Sequence, residues 1–315
     1  MKKTVSLLLA LTMLFGFASC TQQETNYSVG IVNYVQHDAS DEATRGFKDA
    51  LTEKLGTNVA FKETNASNDM ATCTTIITNM VSEGTDLIMA GATPVLIAAA
   101  NATEDIPIVA TCITDYATAL EIEDWTGVTG TNVTGTADCA PLDEQAAMIK
   151  ELLPEAKSVG MIYCSSEPNS KYQVDKVKGY LEGMGITVNE YSFADSNDIA
   201  IITVKACEEV DAIYIPTDNT VASSTEIIDN IALEAGVPVI AGEEAICLGC
   251  GIATFSISYY DIGYTAGLQA YEILENGANP AEMEIEYATD VKKMYVADRC
   301  AELGIEVPSE YVEIK

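Results

Sequence analysis

Two periodicities alternate along the chain. Short apolar runs bounded by glycine, proline or acidic residues occur at 29–34, 86–88, 106–110, 159–164, 211–213 and 237–241. Runs of this length and composition predict buried strands. Between them lie longer stretches whose apolar residues recur every three or four positions. Residues 40–55 carry Ala43, Phe47, Ala50 and Leu51 on one helical face, and Gly56 stops them. Stretches 69–83, 170–184 and 219–235 are stopped by Gly84, Gly185 and Gly236, and 142–153 ends before Pro154. Glycine ends a helix in the left-handed conformation, and proline cannot continue one. Strand and helix alternating in this way predict an α/β fold, a parallel sheet with helices on both faces.

The unit occurs twice. Val29-Gly30-Ile31-Val32-Asn33-Tyr34 matches Val159-Gly160-Met161-Ile162-Tyr163-Cys164, and Asp86-Leu87-Ile88 matches Asp211-Ala212-Ile213. Ile106-Pro107-Ile108-Val109-Ala110 matches Val237-Pro238-Val239-Ile240-Ala241. The copies lie about 130 residues apart. After Glu243-Glu244 the pattern changes to a strand at 251–257, a helix at 259–276, a strand at 283–288 and a last helix at 292–303. These are too few strands for a third lobe. The expectation is therefore two doubly wound parallel-sheet lobes joined by a multi-strand hinge, with crossings near 133–140, 244–260 and 286–292. Lobe one takes 27–136 plus about 258–288, and lobe two takes 137–257 plus about 289–315. A hinge between two lobes makes a cleft that can close.

The N-terminus sets the compartment. Lys2 and Lys3 precede an apolar run at 4–17, then Ala18, Ser19 and Cys20. This pattern is an export signal, residues 1–19, ending in a cysteine. It resembles a bacterial lipobox, although Phe17 stands where leucine is usual. Residues 20–26 then form a tether, lipid-attached at Cys20, on the outer face of the cell membrane. No later apolar segment is long enough to span a bilayer. The net charge of −32 disfavours nucleic acid and anionic membranes and repels anionic solutes.

Eight cysteines follow Cys20. An even number in an exported chain allows disulfides. Yet Cys112 and Cys164 end strand-like runs, and Cys73 and Cys207 sit in helical ones. They read as reduced thiols packed as small hydrophobes. Cys247-Leu-Gly-Cys250 is a single CxxC, expected in a loop.

Doubly wound sheets bind ligands outside the carboxyl ends of their strands. In lobe one those ends carry Gln36-His37, Thr64-Asn65, Ala92-Thr93-Pro94 and Thr114-Asp115. In lobe two they carry Ser165 to Ser170, Asp195-Ser196, Thr217-Asp218-Asn219 and Glu243-Glu244. Thr93 before Pro94 suits a helix N-cap, where open N–H groups attract a carboxylate. Asp218 opens the symmetry-related helix and could neutralise an ammonium group; each residue could equally be a plain cap. His37, the only histidine, is expected in the pocket wall. Asp115, Asp138, Glu243 and Glu244 are too dispersed to argue for a paired-carboxylate enzyme, and no phosphate loop or dinucleotide fingerprint occurs. The reading is a binding protein without catalytic residues, cofactor or metal.

These strand ends resemble a known family. The stretches are Asn33 to His37 with Arg45-Gly46-Phe47, Ala92-Thr93-Pro94, Thr114-Asp115, and Asn132-Val133-Thr134-Gly135 with Asp138. Further on come Asn169-Ser170, Pro216-Thr217-Asp218-Asn219, and Tyr259-Tyr260-Asp261-Ile262-Gly263 with Gly267. Past the tether the chain is similar along nearly all its length to solute-binding components of ABC transporters in the tryptophan/tyrosine-binding group. The resemblance implies the periplasmic-binding-protein type 1 fold, a monomer that delivers to a permease, and an amino-acid ligand with an aromatic side chain, tryptophan, tyrosine or phenylalanine. It places the ligand carboxylate near Thr93 and the ammonium near Asp218, with His37, Ala92, Asp115, Asp138, Asn169, Asn219 and Glu243 also in contact. The chain departs from the family pattern at Asp38, at Val95-Leu96-Ile97 and at Tyr116, all bordering the expected cleft. Two other readings stay open: a binding protein of this fold for a nucleoside, peptide or signal molecule, and an exported enzyme using Glu243 or the CxxC pair.

Overall fold

Two separate sheets organise residues 27–315, the part of the chain that the computed structural model describes. The predicted signal, Cys20 and the tether lie outside the described residues. The first sheet is built from β1 (Tyr27–Asn33), β2 (Val59–Asn65), β3 (Leu87–Gly91), β4 (Ile108–Ile113) and β5 (Val133–Ala137), with α1 (Asp38–Leu55), α2 (Met70–Glu83), α3 (Thr93–Ala102) and α4 (Tyr116–Ala119) between them. The chain then crosses to α5 (Leu142–Leu152) and the second sheet: β6 (Ser158–Cys164), β7 (Thr187–Phe193), β8 (Ala212–Ile215), β9 (Val239–Ala241) and β10 (Ala253–Ser256). Its helices are α6 (Pro168–Gly183), α7 (Ile199–Glu209), α8 (Asn219–Ala222), α9 (Thr225–Ala235) and α10 (Glu244–Cys250). The chain returns through α11 (Tyr259–Asn276) and β11 (Glu286–Tyr287). It crosses a third time to β12 (Lys292–Tyr295), α12 (Ala297–Glu302) and β13 (Val312–Glu313).

The strand orders are β11-β5-β4-β3-β1-β2 and β13-β12-β10-β9-β8-β6-β7. The repeat is explicit in them: β2-β1-β3-β4-β5 in one sheet corresponds to β7-β6-β8-β9-β10 in the other. Central strands β3, β5, β8, β9 and β10 are buried along their whole length. That burial is why they read as unbroken apolar runs rather than alternating ones. In β1, Val29 and Ile31 pack toward α1 and α11, whereas Val32 packs toward α2 and α3. The two-residue period of the strand thus feeds two cores.

Helix α11 follows a second-lobe strand yet packs on the first lobe, against α1. The two backbones approach so closely that side chains are excluded. A Cβ on Gly46 would lie 2.1 Å from the Tyr260 carbonyl oxygen, and one on Gly263 would lie 2.0 Å from that of Ala43. Below this seam, Ala39, Ala43, Ile257, Tyr259 and Ile262 form a small core with Cys112, Ala288 and Val291. It joins the start of α1 to the second and third crossings.

Four expected elements differ. Residues 292–303 are not one helix: Lys292–Tyr295 is a strand antiparallel to β10, with Ala253 opposite Tyr295, and the helix begins only at Ala297. Pairing with the open edge of β10 outweighs local helix preference there. The strand expected at 283–288 shrinks to Glu286–Tyr287, paired with β5. The helix expected at 219–235 breaks at Ser223-Ser224, where Ser224 leaves helical geometry at φ −142°. The CxxC pair lies on a helix, not in a loop. Cys247 and Cys250 are buried on α10, and the Arg299 guanidinium donates to the carbonyls of Cys247, Leu248, Gly249 and Gly251 at its C-terminal end.

All eight cysteines in the described residues are free. Burial pushes their thiols upward, Cys73 and Cys300 to about 11 and Cys139 to about 12. At neutral pH they are protonated and poor nucleophiles. Non-reduced protein unfolded in guanidinium should therefore yield all eight thiols to a colorimetric reagent; two or fewer would reveal a disulfide framework. Gly263→Ala should cost about 1–3 kcal/mol of stability by overpacking the α1–α11 seam, read as a lower urea midpoint at unchanged m-value.

Candidate functional site

The carboxyl ends of both sets of strands meet across the cleft, where His37, Asp218 and Glu243 are each fixed by a helix start. His37 leaves β1 and caps α1. Its Nδ1 accepts from the Ser40 N–H at 3.4 Å, and the Ser40 Oγ accepts from the His37 N–H at 3.3 Å. With Nδ1 accepting, Nε2 carries the proton and donates to Asn219 Oδ1, 3.3 Å away in the other lobe. Burial lowers the His37 pKa, which keeps the ring neutral. Two more contacts bridge the lobes: the Thr220 hydroxyl lies 3.2 Å from Asn68 Oδ1, and the Gln173 amide nitrogen lies 3.3 Å from Thr114 Oγ1.

In the second lobe, Asp218 caps α8 by accepting from the Val221 N–H at 2.9 Å. Its other oxygen accepts from the Cys164 N–H at 2.7 Å and the Ser170 hydroxyl at 2.8 Å. Asp218 thus joins β6, α6 and α8, so removing it would strand three donors rather than one cap. Glu167, from the loop before α6, is wholly buried beside it. It accepts from the Asn219 N–H at 3.0 Å, the Asn219 side-chain amide at 2.6 Å and the Thr220 N–H at 2.9 Å. Burial, and then the neighbouring Glu167 charge, raise the Asp218 pKa.

Two further carboxyls complete the cleft. Glu243 caps α10, accepting from the Ala245 and Ile246 N–H groups at 2.7 and 2.6 Å, and burial pushes it up to about 7. Asp138 sits on the first crossing, 4% exposed, and burial pushes it up to about 6 against the hydrogen bonds that favour its anion. Those come from the Tyr259 hydroxyl at 3.2 Å and the Thr114 hydroxyl at 3.4 Å. Asn169 donates to the Thr217 carbonyl at 3.0 Å, yet its Oδ1, fully buried, has no partner. A buried acceptor left open costs free energy that a donor entering the site would recover.

Between the closed lobes a cavity of about 10 Å³ remains, room for about one water molecule. Six of the residues expected at the site line it: His37, Asp138, Asn169, Asp218, Asn219 and Glu243. Cys112, Thr114, Thr217, Ala222, Ile246 and Tyr259 complete the wall. Asp115 caps α4, accepting from the Thr118 N–H at 2.8 Å, and is not part of that wall. Nor are Ala92 and Thr93. The cap of α3 also shifts by one residue from expectation. Ala92 is the N-cap, at φ 107° and ψ 154°, a region that ordinarily requires glycine, and Thr93 is the first helical residue. The Thr93 hydroxyl is buried and unpartnered. A larger groove of about 660 Å³ opens at the hinge edge between α1 and α10 and shares Glu243 and Tyr259 with this cavity. The enclosed cavity is the candidate site because the strand ends converge on it.

Sequence reasoning did not name Glu167, Cys112 or Tyr259 as ligand contacts, although Glu167 lay within the strand-end stretch Ser165 to Ser170 and Tyr259 among the residues carrying the family resemblance. Glu167 had a signal, a carboxylate just before Pro168 at a helix start. Cys112 enters through a bulge in β4 that holds it at φ 59°, and no local pattern announces that. Among the described residues no group of three or more histidine, cysteine, aspartate or glutamate side chains could hold a metal ion.

Residues 28–313 match the family described as ABC transporter substrate binding protein. A tyrosine-binding protein of Clostridioides difficile is 37% identical over 258 residues, covering 81% of this chain and 74% of that protein. Among solved structures, a Streptococcus pneumoniae ABC domain in complex with L-Trp superposes with a TM-score of 0.88 at 31% identity, covering 92% of this chain and all of that one. A ligand-free, open substrate-binding protein with adhesive properties from Clostridium difficile is 36% identical over the same coverage, with a TM-score of 0.68. The lobes described here therefore stand closer to the arrangement of the L-Trp complex than to the open one. With its two type 1 lobes closing on a solute cleft, the chain belongs to the ABC transporter substrate-binding proteins and serves as the non-catalytic, extracytoplasmic binding component of an importer.

Proposed function

We propose that the cleft binds an α-amino acid with an aromatic side chain, tyrosine or tryptophan in kind, and hands it to a membrane permease. One observation carries this reading. Asp138, Asp218 and Glu243 are buried around one cavity beside the open Asn169 acceptor, and no lysine or arginine is among the described residues lining it. Such a wall seeks a cation, and the ammonium group of an amino acid supplies one. The carboxylate end would face the start of α3, where the unpartnered Thr93 hydroxyl joins the positive end of a ten-residue helix. The relatives support the side chain, since one is named tyrosine-binding and another holds L-Trp. The closed cavity is too small for such a ligand, so the lobes must part to admit it. The chain acts as a monomer, lipid-anchored through Cys20.

The carboxyls give the binding a pH signature. Asp138 and Glu243 titrate at about 6 and about 7 in the folded chain, against roughly 4 when unfolded. Between these values the folded, ligand-free protein holds protons that the unfolded chain has released. That part of its stability is full below pH about 4 and is lost as the pH rises through 6 and 7. A bound ammonium favours the ionised carboxyls, so affinity runs the other way. Calorimetric titration with the twenty amino acids should find an aromatic ligand that binds at least about tenfold more tightly at pH 8 than at pH 5. A flat profile would remove these carboxyls from the ammonium, and no heat from any amino acid would remove the amino-acid reading. For the anchor, Cys20→Ser should move the protein from the membrane to the soluble fraction, because without the Cys20 sulfur there is no attachment point for the diacylglycerol and the paired chains that give stable anchoring are lost; unchanged membrane recovery would mean another tether.

A further inference from the structure

We infer that Asp138 is the group through which the ligand's positive charge closes the hinge, with Tyr259 as its positioning residue. The inference rests on the cation-binding reading of the cleft given above. Asp138 lies on the first crossing, immediately after β5, and its backbone N–H is tied to the Ile113 carbonyl at 3.0 Å. Tyr259 opens α11, immediately after the second crossing, and its hydroxyl donates to Asp138 Oδ2. The bond therefore spans two of the three strands of chain that join the lobes.

The other carboxylate oxygen faces a relay that crosses the cleft. The Gln173 amide donates to Thr114 Oγ1 at 3.3 Å, and the Thr114 hydroxyl donates onward to Asp138 Oδ1 at 3.4 Å. Gln173 is held in turn by the Thr217 N–H, which donates to its Oε1 at 3.1 Å. The Gln173 amide also donates to the Asn169 and Thr217 carbonyls at 3.3 Å, and the bonds from Gln173 through Thr114 run toward Asp138, so the carboxylate ends a chain of donors from the second lobe through the first to the hinge. Bonds to an ionised acceptor are shorter and stronger than bonds to a neutral one. At 3.2 and 3.4 Å, these two have room to tighten.

Charge decides which way the device moves. Cys112, Tyr116, Cys139, Tyr259 and Glu243 are the titratable groups that feel Asp138, and none is cationic. Closing the empty cleft over an ionised Asp138 buries a carboxylate beside Glu243 with no counter-charge, which favours the open state. A cation in the cavity reverses the balance: it holds Asp138 ionised, and the ionised carboxyl draws in Tyr259 and the Thr114–Gln173 relay. A ligand shifts a two-state equilibrium only by its differential interaction with the two states, and the part of that differential passed to the hinge lies on Asp138, the one of these carboxyls on a crossing.

Two measurements on the full chain decide this. In small-angle scattering without ligand, the wild type should expand as the pH rises from 5 to 8, and Asp138→Asn should expand less. Equal expansion would overturn the role of Asp138, whether or not any amino acid binds. In calorimetry with L-tyrosine at pH 8, Tyr259→Phe should lose about tenfold in affinity and close incompletely at saturation, while its ligand-free far-UV spectrum stays that of the wild type. In the Asp138→Asn background the same substitution should cost nothing further. An additive loss would mean that Tyr259 acts on the ligand directly, and wild-type affinity in Tyr259→Phe would mean that it does not act; either overturns the inference. No heat from the wild type with any amino acid would sink the ligand reading, while the scattering comparison would still decide the hinge.

Discussion

The cost of burying carboxyl groups without a counter-cation organises this cleft. Asp138, Asp218 and Glu243 each have part of their hydration replaced by N–H and O–H donors, from their own helix starts for Asp218 and Glu243 and from neighbouring elements for Asp138 and Asp218. None has a lysine or arginine partner. A salt bridge would satisfy the charges and fill the space a solute needs. Helix N-termini instead offer partial positive charge that comes with the backbone and takes up no side-chain volume. The second-lobe wall is thus assembled at the starts of α8 and α10, which that lobe brings to the ends of β8 and β9, while Asp138 on the first crossing takes its donors from the Thr114 and Tyr259 hydroxyls.

That arrangement also explains the use of His37 and Glu167. A neutral ring reaching across to Asn219, which is held by Glu167, gives the lobes a hydrogen-bonded contact that introduces no fixed charge near the carboxyls. Glu167 is itself wholly buried, yet all its close contacts are donors from α8 and Asn169. The acidic composition of the chain continues into its interior, where backbone dipoles rather than basic residues balance it.

The fold class was legible because the strands that define it are buried on both faces and therefore read as apolar runs, twice over. The last third was less so. Nothing in Lys292-Lys293-Met294-Tyr295 signals a strand until the bare edge of β10 is available to pair with it. Helix α10 is short and glycine-bearing, and its end is secured by Arg299, about fifty residues downstream. At the site, the family resemblance added Asp138, and the strand-end rule led to His37, Asn169, Asp218, Asn219 and Glu243, which lie in the loops and helix starts after their strands. It led equally to Ala92, Thr93 and Asp115, which lie off the closed cavity; sequence order does not say which loop ends reach the same depth. Tyr259 and Cys112 arrive by a chain crossing and a backbone bulge, both set by tertiary packing.

The seam between α1 and α11 bears on how the protein is made. Helix α1 is among the first elements to leave the ribosome, and α11 is among the last. Phe47 and Leu51 on α1 pack with Ala266 and Ala270, and Gly46 abuts the backbone at Tyr260. The first lobe, although its β1–β5 sheet is synthesised before any of the second, keeps this face uncovered until residue 276 has emerged. A nascent chain of this design exposes an apolar helix face through the synthesis of an entire second lobe, which is the interval in which it depends on chaperone protection and, being exported, can still be threaded unfolded across a membrane.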